Sequence, residues 1–175
     1  MMQFINTGIY NFAVGFVMGI IGLIIGRIVS RDRIDMDRFP YKLYKWENGG
    51  KTYNKIGINR WKDVIPDVSV YLKSVFPKRL DSSQDKKDVE YYMIFAKETC
   101  VSEFVHTVLM LAAPVFYAVN KSVSWGVWTT IIYFFGNIPF MLVQRYNRPR
   151  LISIAKKAEE TQKEHIPYTD IASYR

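Results

Sequence analysis

Apolar residues are concentrated in two blocks of the chain, residues 8–29 and residues 104–143, with charged and tyrosine-rich segments between and after them. A helix needs about 20 apolar residues to cross the hydrocarbon core of a bilayer. The first block can therefore cross once and the second can cross twice, with a turn at residues 120–122. This pattern predicts an all-α integral membrane protein with three transmembrane helices, at about residues 8–29, 104–119 and 123–143.

The sequence between and beyond these blocks predicts a single membrane domain covering residues 1–175. Residues 30–97 are predicted to form a cytoplasmic, interfacial segment, because Trp and Tyr beside Lys favour the membrane interface. Residues 98–150 are predicted to form a helical hairpin that carries the chemistry, and residues 151–175 a cytoplasmic tail. The first block has no preceding basic residue and no small-residue cleavage pattern, so we expect it to be an anchor rather than a signal peptide.

The distribution of basic residues predicts the orientation. Of the 24 Lys and Arg residues, 16 lie in residues 27–97 and seven lie from Arg145 onward, which leaves Lys121 in the turn. Because positive segments stay on the cytoplasmic side, we expect the N-terminus outside and the C-terminus in the cytoplasm of a bacterial cell, with the chain in its cell membrane. The net charge of +8 fits anionic headgroups. No nucleic-acid-binding motif accompanies it, so we predict no nucleic-acid partner.

The first predicted span carries glycines spaced for close helix packing, at Gly15, Gly19, Gly22 and Gly26. We expect another helix to pack against this face. The sequence leaves open whether that helix belongs to the same chain, to another protein or to a second copy in a homo-oligomer.

The strongest candidate chemistry lies where the second apolar block begins. On an ideal helix, Glu98, Glu103 and His106 share an arc of roughly 140° with Thr99 and Ser102. The carboxylates could simply be the wet end of a membrane helix. His106 lies inside the apolar block, where an ionisable group is costly unless it is partnered, so we predict a functional role for it. Cys100, the single cysteine, lies on the apolar arc and is predicted to be a packing residue.

Two further segments carry polar groups near the predicted membrane boundary. One is Asn137 together with the run Gln144, Arg145, Tyr146, Asn147 and Arg148. Arginine there could stop the helix at the headgroups, but it also suits two-point binding of phosphate or carboxylate. The other segment contributes Trp46, Glu47, Tyr53, Trp61 and Lys62.

These separated blocks resemble the glycosyl-diaponeurosporenoate acyltransferase family, small bacterial membrane proteins of carotenoid biosynthesis. The resemblance covers about residues 45–151 and rests on four blocks: Glu47 with Gly50-Lys51 and Trp61-Lys62; Glu98-Thr99 with Glu103 and His106; Asn137-Ile138-Pro139; and Gln144 to Leu151. It implies transfer of a fatty acyl group to a primary sugar hydroxyl of a glycolipid or glycosylated isoprenoid, in contact with the lipid bilayer.

Acyl transfer to a hydroxyl needs a base and an oxyanion stabiliser. We predict that His106 is the base, that Glu103 or Glu98 orients it, and that Asn137 stabilises the oxyanion. The predicted substrate-binding residues form three groups. Donor phosphates are held by Arg145, Arg148 and Lys62, and sugar or acyl chain stacks on Trp46, Tyr53 and Trp61. The other predicted polar contacts are Glu47, Gln144, Tyr146 and Asn147.

We predict no cofactor and no metal, with an acyl donor such as acyl-CoA as co-substrate. Glu103-x-x-His106 has the spacing of one half of a di-iron site, but the only other histidine, His165, lies in the tail. Two alternatives stay open: a non-catalytic membrane subunit that docks a glycolipid-synthesis enzyme, and another lipid-modifying enzyme such as a methyltransferase. Finally, an antiparallel hairpin centred on residues 120–123 predicts that His106 lies level with Asn137, and that Glu98 forms an ion pair with Arg145.

Overall fold

The computed structural model describes residues 2–65 and 89–164, and within those ranges the regular structure is entirely helical. The α-helices are α1 (Met2–Ile28), α2 (Ile58–Trp61), α3 (Val89–Leu111), α4 (Val115–Val119) and α5 (Val123–Glu164). Short 3-10 segments cover Arg31–Arg33, Lys45–Ile56 and Lys62–Val64. The predicted all-α class is confirmed. Residues 66–88 of the predicted interfacial segment and 165–175 of the predicted tail lie outside the described residues.

Among residues 2–65 and 89–164, two helices rather than the predicted three are long and apolar enough to cross a membrane: Ile5–Ile28 in α1 and Val123–Lys163 in α5. The predicted second span at residues 104–119 is not among them. Pro114 lacks an amide hydrogen to continue the helix, and α3 ends before it, at Leu111, with α4 beginning after it. At its other end α3 continues back to Val89 through the charged residues Lys97, Glu98 and Glu103, which lower its hydropathy.

Helix α1 packs against α3 through its glycines. Ideal Cβ atoms built at Gly22 and Gly26 would lie 3.2 and 3.4 Å from the side chain of Val105. At Gly22 the Leu109 side chain is also only 3.1 Å away. Two members of the predicted close-packing face therefore contact a helix of the same chain, since larger residues there would push α1 and α3 apart.

The segment before α2 folds back onto the second half of α5. Tyr53 and Ile58 form a buried apolar cluster with Tyr146. The chain turns there at Asn48, Gly49 and Gly50, all of which have positive φ. A Cβ at Gly50 would lie 3.2 Å from the backbone oxygen of Tyr146, so the absence of a side chain lets this turn approach α5 closely.

The outward faces of α1 and α5 are apolar. On α1, Phe12 and Phe16 are 77% and 63% exposed, and on α5, Ile132 and Phe135 are 67% and 60% exposed. Contiguous exposed apolar surface of this kind is typical of contact with a membrane or with another protein.

Candidate active site

A cavity of about 800 Å³ lies between α1, α3 and α5. One end is apolar and is lined by Phe16, Ile20, Leu23, Val105 and Leu109. The other end is polar and is lined by Lys62, Glu98, Thr99, Ser102, Gln144, Asn147 and Arg150. A cavity with this division suits an amphipathic molecule whose chain and headgroup need different surroundings.

His106 lines this cavity from α3. Its Nδ1 lies 2.9 Å from the side-chain oxygen of Asn137 on α5, so the prediction that these two residues lie level in the hairpin is confirmed. The imidazole ring also stacks on Phe140, with 4.6 Å between ring centroids and 16° between planes. Two contacts from α5, one polar and one aromatic, therefore fix the orientation of the ring.

The hydrogen bonds of Asn137 determine the tautomer of His106. The side-chain amide of Asn137 donates to the backbone oxygen of Tyr133 at 2.8 Å, which turns its carbonyl oxygen toward His106. A carbonyl oxygen only accepts hydrogen bonds, so Nδ1 of the neutral ring must carry the proton. Nε2 is then the nitrogen whose lone pair can take a proton. We expected a carboxylate in this position, but Asn137 fills it.

Glu103 and Glu98, the two carboxylates predicted to orient His106, both bind arginines instead. Arg145 donates from Nη1 to Glu103 at 2.6 Å, and Arg148 donates to the other oxygen of Glu103. Arg145 also binds Glu47 through two parallel hydrogen bonds of 2.7 Å each. We call Glu47, Glu103, Arg145 and Arg148 the buried ion cluster, since Arg145 and Arg148 are 9% and 1% exposed and Glu47 is fully buried.

The buried ion cluster joins three parts of the fold. Glu103 belongs to α3, the two arginines belong to α5, and Glu47 belongs to the segment that folds back. Arg145 also donates to the backbone oxygens of Pro40 and Lys42, and Arg148 donates to that of Tyr41. The polar groups of this otherwise apolar region are thereby satisfied, which is the condition under which buried charges are tolerated.

Glu47 stays ionised in this environment. Burial would raise its pKa, but hydrogen bonds from Arg145, Tyr53 and the Tyr44 backbone outweigh burial and hold that pKa below the ordinary 4.5. For Tyr53, burial and the neighbouring Glu47 carboxylate both raise the pKa of the phenol. Tyr53 therefore stays a neutral phenol and donates a hydrogen bond to the Glu47 carboxylate.

The predicted ion pair between Glu98 and Arg145 is wrong. Glu98 instead binds Arg31, which donates from Nε at 2.7 Å and from Nη2 at 3.2 Å. Arg31 lies three residues after the end of α1 at Ile28, and the packing of α1 on α3 places it beside Glu98. Arg145 turns away from this face because Glu47 and Glu103 hold all three of its nitrogens.

Burial argues against the predicted phosphate-binding role of Arg145 and Arg148, since neither lines the cavity. Lys62 does line it and lies 3.4 Å from Asp63. Arg150, a residue missing from the prediction, also lines it. Its guanidinium lies 3.3 Å above the Tyr146 ring and donates to the Tyr146 backbone oxygen at 2.7 Å.

The other predicted substrate-binding residues divide between the cavity and the supporting structure. Gln144 and Asn147 line the cavity. Tyr53 and Tyr146 are buried, and the Tyr146 hydroxyl donates to Asn59. Trp61 packs against their apolar cluster and donates to the Ile56 backbone. Trp46 is 61% exposed with its ring edge-on to Tyr53.

Sequence analysis missed two residues of the site for different reasons: Arg150, which lines the cavity, and Arg31, which binds the cavity residue Glu98. Arg31 lies in a run of mixed charge that resembles an ordinary solvated helix end. Arg150 belongs to the same basic run as Arg148, and its position two residues further along α5 was the available signal, since it points to a different face. Among residues 2–65 and 89–164, no three His, Cys, Asp or Glu side chains are grouped to hold a metal ion.

Comparison with known proteins places this chain in a family. A family model described as glycosyl-4,4'-diaponeurosporenoate acyltransferase matches residues 37–157. A protein of that name from Staphylococcus haemolyticus strain JCSC1435 is 29% identical over 113 residues, which is 63% of this chain and 63% of that relative. Proteins of the same name from Staphylococcus aureus strains bovine RF122 / ET3-1 and USA300 are each 28% identical over 127 residues, 71% of this chain and 73% of each relative. No solved structure matches the chain.

The family match begins after α1 and includes α3, most of α5 and the buried ion cluster. It confirms the resemblance identified in the sequence and the prediction of an acyltransferase class. The chain belongs to the glycosyl-4,4'-diaponeurosporenoate acyltransferase family.

Proposed function

We propose that this protein is a membrane acyltransferase that moves a fatty acyl group to a primary sugar hydroxyl of a glycolipid or glycosylated isoprenoid. The observation that carries the proposal is the position of His106. Its ring is held through Nδ1 by Asn137, inside a cavity with one apolar and one polar end. The names of the relatives support a glycosylated carotenoid acid as the acceptor.

Nε2 of His106 removes the proton from the sugar hydroxyl as the hydroxyl oxygen attacks the acyl carbonyl carbon. The new C–O bond gives a tetrahedral intermediate and an imidazolium. Collapse of the intermediate breaks the bond to the donor's leaving group, which takes the proton back from Nε2, so His106 ends as it began. Asn137 acts here as a positioning residue that fixes the tautomer, since its amide already donates to Tyr133. This role replaces the predicted stabilisation of the oxyanion.

The polar end of the cavity supports binding of the two headgroups. Lys62 and Arg150 supply positive charge there and would hold the phosphates of a donor such as acyl-CoA. Gln144 and Asn147, beside them in the cavity lining, offer amide groups that can hydrogen-bond sugar hydroxyls. The apolar end would take a hydrocarbon chain. The charge of Glu98, which lines the polar end, is neutralised by its ion pair with Arg31.

The proposed location is the cytoplasmic face of a bacterial cell membrane. Two helices of suitable length and composition, in α1 and α5, support it. Helices α3 and α4, which lead from Glu98 beside Arg31 to Asn120 beside Asn11, would return the chain across the membrane between them. The basic residues of residues 27–97 and of the C-terminal part of α5 would face anionic headgroups on that side.

The test is reconstitution of the purified protein in vesicles with a labelled acyl donor and a glycosylated lipid acceptor, with products identified by mass. Wild-type protein should add one acyl increment to the acceptor. His106→Ala should lower turnover by roughly 10²–10⁴-fold while eluting and melting like wild type. Cys100→Ala is the control, since Cys100 is buried away from the cavity lining, and it should retain turnover. A methyl increment, no product, or full activity of His106→Ala would overturn the proposal.

A further inference from the structure

The glycines of α1 that line the cavity differ in how much space surrounds them. Ideal Cβ atoms built at Gly22 and Gly26 meet side chains of α3 at 3.1 and 3.4 Å, so those glycines serve helix packing. A Cβ built at Gly19 meets nothing within 4 Å, although Gly19 lines the same cavity. Gly19 is an exposed residue, and the open space beside it includes part of the cavity. A larger side chain there would enter that space without displacing a helix.

Phe16 lies one turn beyond Gly19, and it lines two cavities. The first is the one that contains His106, and the second is an apolar cavity of about 410 Å³ that Phe12, Phe116 and Ile132 also line. The Phe16 ring therefore lies where the two spaces meet. Phe16 and Ile20 are also 63% and 42% exposed at the outer surface, so this part of the cavity is accessible from the apolar side of the molecule.

The packing of α1 on α3 gives the distances from the reacting centre. Gly22 packs on Val105 and Leu109, and Gly26 packs on Val101 and Val105, which places His106 level with the turn of α1 around Leu23. At 1.5 Å per residue, Gly19 lies about 6 Å and Phe16 about 10 Å beyond that level. A chain bound with its carbonyl carbon at His106 must therefore pass Gly19 before it reaches Phe16.

We propose that Gly19 and Phe16 determine which acyl chain lengths the enzyme transfers, Gly19 by leaving room for the chain and Phe16 by closing the space beyond it. The inference rests on the proposed acyl transfer and goes beyond the family match, which begins at residue 37 and so excludes α1. Because a hydrocarbon chain gains free energy with each methylene it buries, filling or extending this space changes the preferred length.

The test supplies the reconstituted enzyme with an equimolar mixture of acyl donors from octanoyl to stearoyl and measures the chain lengths in the product. Gly19→Ala, Gly19→Leu and Gly19→Phe should shift the product progressively toward shorter chains, with the ratio of short to long product rising roughly tenfold or more for the largest side chain. Phe16→Ala should shift the product toward longer chains, because its ring no longer separates the two cavities.

Two matched controls lie on α5. Gly136 also has open space around its ideal Cβ, and Phe135 is exposed to a similar extent as Phe16, but neither lines either of these two cavities. Gly136→Leu and Phe135→Ala should give the wild-type product distribution. Thermal unfolding of each variant distinguishes a folding defect from a change in specificity. Gly19→Ala adds only a methyl group, which fits the open space, so at least this variant should fold like wild type.

The outcomes separate this inference from the proposed function. If wild-type protein transfers acyl chains but the Gly19 and Phe16 variants give unchanged lengths, or lose all lengths equally, the assignment of Gly19 and Phe16 is wrong and acyl transfer stands. A change in the acceptor KM alone would place the acceptor's chain in this cavity and would also overturn the assignment. If the wild-type protein transfers no acyl chain of any length, the proposed function fails first.

Discussion

The side-chain oxygen of Asn137 lies 2.9 Å from Nδ1 of His106, and the amide nitrogen of the same side chain donates to the Tyr133 backbone oxygen at 2.8 Å. The second bond determines which end of Asn137 faces the ring. As a result, one residue of α5 controls where the proton resides on a residue of α3.

Replacing Asn137 tests this control. Asn137→Leu should lower kcat by roughly 10–100-fold, less than His106→Ala, because the ring remains but loses its fixed tautomer. Asn137→Asp keeps an oxygen beside Nδ1 and should retain more activity. Its carboxylate stabilises the imidazolium, which cannot accept a proton, so the acidic limb of the pH–rate profile should move to higher pH. An unshifted profile for an active Asn137→Asp variant would contradict the proposed contact.

The level relationship of His106 and Asn137 was predictable from sequence because helical rise is regular and a short turn fixes the register of a hairpin. The partners of Arg145 and Arg31 could not be predicted from sequence. Arg145 reaches Glu47 because residues 37–57 fold back onto α5 through the turn at Asn48, Gly49 and Gly50, and the sequence does not show which helix that turn approaches. Arg31 meets Glu98 only because α1 packs on α3 through glycines, and the sequence left the partner of those glycines open.

Breaking the buried ion cluster should affect folding more than substrate binding. Glu47→Gln keeps the shape of the side chain but leaves Arg145 with one carboxylate partner, and removing one member of a buried ion pair costs about 3–5 kcal/mol. We expect a clearly lower melting temperature in detergent. Lys45→Gln is the control, since Lys45 is exposed in the same segment, and it should melt like wild type. Equal melting of Glu47→Gln and wild type would show that the cluster contributes little.

The same variant has a predictable pH dependence. The pKa of Glu47 is lowered in the folded protein, so its stabilising contribution is present above the unfolded value near 4.5 and is lost as the pH falls through the lowered folded value. Protonated Glu47 and the amide of Gln have similar shapes and no charge. The difference in unfolding free energy between wild type and Glu47→Gln should therefore be largest near neutral pH and shrink in acid. A difference that stays constant with pH would assign it to packing rather than to charge.

The proposed orientation can be measured with introduced cysteines in the Cys100→Ala background, which removes the single native thiol. Lys121→Cys should react with a membrane-impermeant thiol reagent in intact cells, because the α4–α5 turn is proposed to face outward. Lys156→Cys, exposed near the other end of α5, should react only after the cells are opened. The reversed pattern would place the site, donor and acceptor on the outer face.

Arg148 and Arg150 lie two residues apart on α5, yet the structure gives them opposite environments. Arg148 is 1% exposed and bound to Glu103 and Thr99, whereas Arg150 lines the cavity and rests on the Tyr146 ring. If Arg150 holds a donor phosphate, Arg150→Ala should raise the donor KM by roughly tenfold, about 1.4 kcal/mol of binding, with little change in kcat or melting temperature. Lys156→Ala, which removes an exposed positive charge from the same helix, should leave the KM unchanged.

Arg148→Ala should instead lower the melting temperature and the yield of folded protein, because it leaves part of Glu103 buried without its partner. If Arg148→Ala raised the donor KM at wild-type stability while Arg150→Ala had no effect, the donor phosphate would bind Arg148, as the sequence alone predicted.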